Sequence, residues 1–283
     1  MGNRPERTGS APRTGFTRSV LASGAVTIGF IGFGTIAREI AANLHPGEAK
    51  RLIALVREHP AREVAPEIEV VTKLDALLLA RPDIVVEAAA PAAIAEFGPA
   101  ILAAGLPLVV ASVGALADGA LLEECLRHAS AGGGRIIVPA GAVGGLDYLA
   151  AVRNANASVC YTSRKPLAAW HAELAEMGLD LARLNEEIVL FEGSPDEAAR
   201  RYPKNLNVAL TIALAAGPAR TAVRVVADPS VMRNTHEIEV ESSIGTAFLK
   251  FENRPSAMNP KTSAVTALSL LSAMRRHFDS LVI

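Results

Sequence analysis

Three small residues near the start of the chain have a spacing that suggests nucleotide chemistry. Gly32, Gly34 and Ala37 form a G-x-G-x-x-A pattern. The first glycine of such a pattern permits a tight turn, the second lets the backbone approach a pyrophosphate, and the small third residue allows close helix packing. We therefore predict a dinucleotide site with contacts from Gly32, Gly34, Thr35, Ile36 and Ala37. The alternative is an ordinary turn between a strand and a helix.

The residues around this pattern must form a strand and a helix if the prediction is correct. Residues 26–31 are an apolar run that predicts a buried strand, and Ile36, Ile40 and Leu44 recur at the spacing of one helix face. The helix would then begin at the glycine turn. Its unpaired N–H groups and the positive end of its dipole favour a bound phosphate there.

The rest of the chain alternates predicted strands and helices, which favours an α/β fold with a mostly parallel sheet. We predict a Rossmann-type doubly wound sheet over residues 26–138, with strands near 51–56, 69–71, 84–88, 108–111 and 136–138. A second, smaller α/β (α+β) domain for substrate binding and dimerisation is predicted over 139–260. Its strands are predicted at 155–163, 187–192, 223–227, 237–240 and 246–251, with an apolar helix over 205–216. Residues 261–283 should form a helix that packs back on the first domain, and the arginine-rich residues 1–25 a disordered extension.

Residues at the ends of two predicted strands add to the nucleotide site. Arg57 follows the second strand, where an acidic residue would bind a ribose 2′-hydroxyl and repel a 2′-phosphate. An arginine there favours NADP, and a solvated surface arginine is the alternative. Ala89 and Pro91 follow the strand near 84–88, and such small residues let a ligand approach the sheet. NAD and NADP both remain candidate cofactors.

Composition excludes several other classes of function. The chain has 283 residues, half of them hydrophobic, and a formal net charge of −1, so nothing marks it for nucleic acid or an anionic membrane. No apolar run approaches the roughly 18 residues of a membrane-spanning helix. The two cysteines, Cys125 and Cys160, lack metal or redox spacing, which predicts a reduced, cytoplasmic protein. No His, Cys and carboxylate cluster has ligand spacing, so we expect no metal site.

Several separated motifs give the chain a resemblance to a known family. From residue 26 onward it resembles L-aspartate dehydrogenases, through GFIGFGTIA, ASVGALAD, GAVGGLDYLAA, YTSRKP, NLNVALTIALA, NTHEIEV and NPKTS. The resemblance implies a Rossmann-type domain with a smaller α/β domain, a homodimer, and oxidation of L-aspartate with NAD or NADP. The implied product is iminoaspartate, which hydrolyses to oxaloacetate and ammonia or feeds NAD biosynthesis.

The same resemblance implies roles for individual residues. It places the catalytic histidine at His236, and the contacts on the nicotinamide side at Ala115 and Asn207. A histidine suits proton handling because its unperturbed pKa of about 6.5 lies near neutrality. Without the resemblance, His236 could equally be a structural histidine before a strand, and Asn207 a helix cap.

The two carboxylates of aspartate require a binding group of opposite charge. Candidates are Arg164 and Lys165 in YTSRKP and Lys261 in NPKTS, because guanidinium and ammonium groups bind carboxylates. Gly144, in a glycine-rich helix entry, could receive a carboxylate through backbone N–H groups. The alternatives are surface cations beside turn prolines and a glycine needed only for its turn.

Two other functions compete with this interpretation. One is another two-domain NAD(P)-dependent oxidoreductase, similar to dihydrodipicolinate reductase or homoserine dehydrogenase, although the motifs after Gly141 fit these less well. The other is a non-catalytic dinucleotide-binding redox sensor, against which His236 and the nearby cations argue.

Overall fold

The fold contains two β-sheets that follow one another along the chain. The computed structural model describes residues 26–58, 67–202, 207–259 and 262–282. The first sheet has six strands in the order β3-β2-β1-β4-β5-β6, all parallel. Its strands are β1 Thr27–Ile31, β2 Arg51–Leu55, β3 Ile68–Val71, β4 Ile84–Glu87, β5 Pro107–Val110 and β6 Arg135–Ile137. This order is that of a doubly wound dinucleotide-binding sheet, which confirms the predicted fold class.

Helices cover both faces of the first sheet. They are α1 Thr35–Ala42, α2 Leu74–Leu79, α3 Pro91–Ala103 and α4 Gly119–Gly132, and a 3₁₀ helix, Val113–Ala117, follows β5. Because helices lie on both faces, the central strands are continuous apolar runs, and every residue of β4 is buried. The carboxyl ends of these strands meet at one edge, where ligands bind in folds of this kind.

The second sheet has five strands in the order β11-β10-β7-β9-β8. They are β7 Ser158–Lys165, β8 Ile188–Gly193, β9 Thr221–Ala227, β10 Thr235–Ser242 and β11 Gly245–Glu252. Only β7 and β9 pair in parallel, so the sheet is mixed and mostly antiparallel, as expected. One face packs under helices in a single apolar core. The helices of this half are α5 Leu146–Val152, α6 His171–Glu176, α7 Pro195–Arg201 and α8 Asn207–Ala216.

The last helix, α9 Ala264–Phe278, lies against the first sheet. Its Leu270, Leu271 and Met274 share an apolar core with Phe30 of β1 and Ile40 of α1. The chain therefore returns to its first half after completing the second sheet. The domain boundaries at residues 138 and 260 stay predictions, as does the disorder of residues 1–25, which lie outside the described residues.

One strand boundary differs from the prediction in a way that matters for the site. Strand β7 runs from Ser158 to Lys165, whereas the alternation in the sequence suggested residues 155–163. Asn156 has a positive φ of 53° and belongs to the preceding turn, so the strand starts later. At its other end the strand includes Arg164 and Lys165, which therefore project to opposite faces of the sheet.

Candidate active site

The glycine turn after β1 leaves room for a phosphate group. Gly32 has φ +78°, and a Cβ at this position would lie 2.7 Å from the Cβ of Ala89. Gly34 is the N-cap of α1, and no side chain caps the helix. A Cβ at Gly34 would have no atom within 4 Å, so the space beside it is open. The fully buried Ala37 lets α1 pack closely. An uncapped helix end with no acidic residue in its first turn fits the pyrophosphate of a dinucleotide.

The other predicted nucleotide contacts surround this turn. Thr35 and Ile36 begin α1, Ala89 touches the glycine turn, and Pro91 begins α3. Arg57 is exposed and follows β2 by two residues. All of them lie at or after the carboxyl end of a strand, which is the ligand edge of the sheet.

Glu87 is a buried carboxylate at this edge that the sequence analysis did not select. It ends β4 and is completely buried. Its Oε1 accepts hydrogen bonds from Ala89 N (2.9 Å) and Ser112 Oγ (2.9 Å), and its Oε2 accepts one from Ser112 N (2.8 Å). Burial raises the pKa of Glu87 although these hydrogen bonds oppose the shift. The carboxylate therefore joins the segments that follow β4 and β5. A charged residue at the end of the apolar run IVVE was the signal available in the sequence.

Asn207 connects the second half of the chain to the first. It begins α8, and its Oδ1 accepts a hydrogen bond of 2.9 Å from Gly114 N in the 3₁₀ helix after β5. Because the oxygen has this partner, the Nδ2 group is left as a donor toward the cleft that Asn207 lines. Ala115 follows Gly114 in the same turn, and Val113 forms the cleft wall there.

His236 lies on β10 and is 8% exposed. The hydroxyl oxygen of Tyr161 is 2.8 Å from its Nδ1. Burial and, to a smaller extent, the nearby positive charge of Lys165 lower the pKa of His236 to about 4. The imidazole is therefore neutral near pH 7.

Asn207 and His236 line a cleft of about 200 Å³ between the two halves of the molecule. It combines Ile36 of α1, Lys165 of β7, Asn207 of α8 and His236 of β10. The remaining lining residues are mostly small or hydroxyl-bearing: Ala111, Val113, Pro139, Ala140, Gly141, Ala142, Val208, Thr211, Asn234, Thr262, Ser263, Thr266 and Leu270. A larger groove of about 620 Å³ lies beside α1, β2 and β3, but its described lining includes none of the predicted site residues.

Lys165 and Arg164 are placed very differently. Lys165 lines the cleft with its Nζ 5.1 Å from the centroid of the Trp170 ring, and burial lowers its pKa. Arg164 is bound on the other face by Glu237 (Nε to Oε2, 2.6 Å), Asp228 (3.2 Å) and Glu187. This arrangement removes Arg164 from the candidate substrate clamp, because its guanidinium already serves three carboxylates.

The role predicted for Gly144 stays a prediction. A Cβ at Gly144 would lie 3.4 Å from the Phe251 ring, and Gly144 does not line the cleft. Gly141 and Ala142 form that wall instead, and Gly141 N donates to Ser269 Oγ at 2.8 Å. Lys261 lies outside the described residues, so its proposed role stays a prediction.

The described residues contain neither a candidate metal-binding cluster nor a helix that could span a membrane. No group of three or more His, Cys, Asp and Glu side chains that could hold a metal ion occurs among them. None of the helices in the described part of the chain is long and apolar enough to cross a membrane.

A parallel sheet with an open glycine turn, facing a second domain that supplies a buried histidine and a half-buried lysine, defines a two-domain oxidoreductase of the pyridine-nucleotide type. Comparisons with family models agree. Residues 32–139 match the model described as homoserine dehydrogenase, NAD binding domain, and residues 147–277 match that described as aspartate dehydrogenase, C-terminal.

Individual relatives identify the family more closely. L-aspartate dehydrogenase 2 of Bordetella pertussis is 49% identical over 88% of this chain and 96% of its own length. L-aspartate dehydrogenase of Serratia proteamaculans is 41% identical, with the same two coverages. The crystal structure of aspartate dehydrogenase from Thermotoga maritima matches with a TM-score of 0.76 and 28% identity, over 92% of this chain and 99% of that one. The chain belongs to the L-aspartate dehydrogenase family, which confirms the resemblance found in its motifs.

A more distant match shows the fold alone. A dihydrodipicolinate reductase from Paenisporosarcina has a TM-score of 0.50 and 13% identity, over 88% of this chain and 91% of that one. The two-domain architecture is therefore shared beyond the family, whereas the motifs of the second domain are those of aspartate dehydrogenases.

Proposed function

We propose that this protein catalyses the NAD(P)-dependent oxidation of L-aspartate to iminoaspartate, which hydrolyses to oxaloacetate and ammonia. The observation that carries the proposal is the cleft in which His236, Lys165 and Asn207 come together beside α1. Membership of the L-aspartate dehydrogenase family supplies the substrate. The uncapped, acid-free start of α1 supports a bound dinucleotide.

The nucleotide would be held by the residues around the glycine turn. The backbone at Gly32 and Gly34 and the start of α1 would bind the pyrophosphate. Asn207 would donate from Nδ2 to an acceptor oxygen, because its Oδ1 is used by Gly114. When bound, the nicotinamide accepts a hydride from the substrate carbon that carries the amine.

His236 would manage protons in this reaction. A neutral imidazole can accept a proton at neutral pH, and the lowered pKa keeps His236 in that form. We assign to it the proton released from the substrate amine or from the water that attacks the imine. His236 and Lys165 line the same cleft, which supports a proton acceptor close to a carboxylate-binding group.

Lys165 would bind a substrate carboxylate. Partial burial disfavours the charged form of Lys165 and lowers its pKa, although Glu173 opposes the shift. A bound carboxylate supplies the opposite charge, so a dicarboxylic amino acid is favoured over a neutral one. Lys261 stays a second candidate for this role.

Five further parts of the proposal concern cofactor choice, assembly, location, pathway and domain roles. Arg57, exposed after β2, would accept the 2′-phosphate of NADP. We also propose a homodimer, a cytoplasmic location and a link to NAD biosynthesis. The second domain, residues 139–260, would serve both substrate binding and dimerisation, with the first domain at 26–138.

The test is the initial rate of NADH and NADPH formation with L-aspartate, beside a panel of other amino acids and hydroxy acids. We expect turnover specific for aspartate. His236→Asn should lower kcat by about 100-fold or more and leave nucleotide binding within about twofold. The matched control is His171→Asn, an exposed histidine at the start of α6, which should be neutral.

Three results would contradict the proposal. Nucleotide binding without turnover on any substrate would favour a redox sensor. Turnover of another substrate in place of aspartate would favour a different oxidoreductase. Full activity of the His236→Asn protein would remove His236 from the chemistry while leaving the substrate assignment intact.

A further inference from the structure

Tyr161 lies at the centre of the second sheet, directly behind the proposed catalytic histidine. Strand β7 pairs with β10 in a register that puts His236 opposite Ser163 and Ile238 opposite Tyr161. Tyr161, Ser163 and Lys165 occupy alternate positions of β7 and so share one face of the sheet. Along this face the chain passes from the apolar core, at Tyr161, to the cleft, at Lys165.

The contact between Tyr161 and His236 is buried and specific. Tyr161 is fully buried, and its hydroxyl oxygen is 2.8 Å from Nδ1 of His236. The two rings are nearly parallel, with 16° between their planes and 6.0 Å between their centroids. No reaction step proposed above uses Tyr161, although it is the group bound to the far nitrogen of the histidine.

We propose that Tyr161 is a positioning residue that selects the tautomer of His236. The Tyr161 oxygen accepts a hydrogen bond from Nδ1–H of His236, and Nε2, which faces the substrate, is then unprotonated. A neutral imidazole has one N–H donor and one acceptor nitrogen, and a partner at Nδ1 decides which is which. The inference rests on the proposed function, because it concerns how His236 becomes a proton acceptor in the same cleft.

If the Tyr161 oxygen accepts a hydrogen bond from Nδ1–H, its own hydroxyl hydrogen must point toward another acceptor. Ser163 can take it, since it is 2% exposed, lies on the same face of β7 and is close enough to the Tyr161 hydroxyl to affect the pKa of the phenol. A serine hydroxyl can accept as well as donate. Burial raises the pKa of the phenol well above its usual range, so Tyr161 stays protonated, and in the proposed arrangement its hydroxyl donates a hydrogen bond to Ser163 Oγ.

This chain of hydrogen bonds survives the reaction without rearrangement. When Nε2 takes up a proton, the Nδ1 proton remains on the ring and the Tyr161 oxygen remains its acceptor. The ring therefore needs no rotation, and the buried N–H is never left without a partner. The opposite tautomer would place the proton on Nε2 and remove the acceptor from the cleft.

Tyr161→Phe tests the inference because it deletes the oxygen and keeps the ring. We expect kcat to fall about tenfold or more, as for the loss of one hydrogen bond in the active form, with KM for aspartate within about twofold. The matched control is Tyr202→Phe: Tyr202 lies in the same apolar core, with its hydroxyl 3.4 Å from the Leu190 carbonyl oxygen. It should change neither constant.

Nitrogen NMR of the ¹⁵N-histidine-labelled protein gives a readout that a merely structural role would not move. The His236 signal is assigned by its absence from His236→Asn. We expect a protonated Nδ1 in the wild-type protein and a shift toward a protonated Nε2 in Tyr161→Phe. Ser163→Ala, which removes the acceptor of the phenol proton, should give a partial shift in the same direction and provides a second variant.

The outcomes separate this inference from the proposed function. A wild-type Nε2–H tautomer, or a Tyr161→Phe protein as active as Tyr202→Phe, would overturn the inference while the His236→Asn result could still stand. A loss confined to KM would also overturn it, because positioning of a proton acceptor acts on kcat. Failure of the proposed function would appear as a wild-type protein that binds nucleotide without turning over L-aspartate, whatever the tautomer.

Discussion

Arg164 and Lys165 are neighbours on one strand but have different roles, because their side chains lie on opposite faces of the sheet. Side chains of a strand alternate between faces, so these neighbouring cations cannot serve the same site. Lys165 lines the cleft, whereas Arg164 binds Glu237 and Asp228 on the far face. The sequence places both in YTSRKP and predicts a turn there, which is why it could not distinguish them.

We expect substitutions of the two residues to have opposite signatures. Lys165→Met should raise KM for aspartate about tenfold or more, since a charged hydrogen bond is worth about 1.5–3 kcal/mol, and should not lower the free energy of unfolding. Arg164→Met should lower the free energy of unfolding by about 2–3 kcal/mol, because two largely buried carboxylates lose their partner, and leave KM within about twofold. Initial rates and urea unfolding measure the two quantities.

A third cation, Lys250, provides the control for Arg164 and Lys165. Lys250 lies 3.8 Å from Glu237 and 3.1 Å from Glu252, and its side chain is 43% exposed. Exposed pairs contribute about 0–1 kcal/mol, so Lys250→Met should change both quantities little. A raised KM with unchanged stability in Arg164→Met would return that residue to the substrate clamp.

The other site residues differ in how well they could be predicted from the sequence. His236 and Asn207 came from the family-like motifs, and both lie in the cleft. Tyr161 begins the YTSRKP motif but was not selected, because a tyrosine in a predicted strand is normally a core residue. Its importance depends on the pairing of β7 with β10, which joins residues 75 positions apart. Sequence periodicity is local and does not specify such a pairing.

At the scale of elements, local patterns predicted most strands and helices. The apolar runs gave the first sheet, and the period of four gave α1, because each element buries one continuous face or stripe. Ends were less accurate: α9 spans Ala264–Phe278 although its pattern runs over residues 261–282. Strand β7 was displaced by the turn at Asn156, and at its other end it extends to Arg164 and Lys165, beyond the predicted end at residue 163.

Glu87 connects two elements whose ends flank the nucleotide site, and its charge state can be tested. In Glu87→Gln one carboxylate oxygen becomes an NH₂ group, so a donor faces either Ala89 N or Ser112 N, which also donate. We expect the free energy of unfolding to fall by about 1–3 kcal/mol, the cost of buried donors without an acceptor. The dissociation constant of the nucleotide should rise about threefold to tenfold as the two segments loosen.

The control for this substitution is Glu96→Gln, the same chemical change at an exposed position of α3. It should leave urea unfolding and nucleotide titration unchanged. A Glu87→Gln protein as stable as the wild type would show that the site holds a protonated carboxyl group, which already presents a donor. Such a result would agree with the raised pKa of Glu87 but would remove its bracing role as a carboxylate.

At the scale of the whole molecule, two apolar contacts bring the halves together around the cleft. Leu210 of α8 packs into the core that contains Val113 and Leu116 of the first half. Helix α9 returns to the first sheet through Leu270 and Met274. The cleft therefore depends on packing between distant parts of the chain. Sequence motifs supplied residues of the cleft, but only the tertiary arrangement directed Arg164 to the other face of the sheet and brought Tyr161 to His236.

The buried histidine also makes the stability of the whole molecule depend on pH. In the folded state His236 has a pKa of about 4, whereas an unfolded histidine has a pKa of about 6.5. Between these values the unfolded chain binds a proton that the folded chain does not, so stability falls as the pH falls. At about 1.4 kcal/mol per pKa unit, the loss reaches about 2–3 kcal/mol near pH 4.5 and is absent above about pH 7.

Urea unfolding of the wild type and His236→Asn from about pH 7.5 to about pH 4.5 isolates this contribution from that of other groups. The difference between their free energies of unfolding should be constant above about pH 7 and should then move by about 2–3 kcal/mol in favour of the asparagine protein. His171→Asn, an exposed control, should run parallel to the wild type throughout. Parallel curves for wild type and His236→Asn would mean that His236 titrates normally, and the argument for a neutral proton acceptor would then rest on Tyr161 alone.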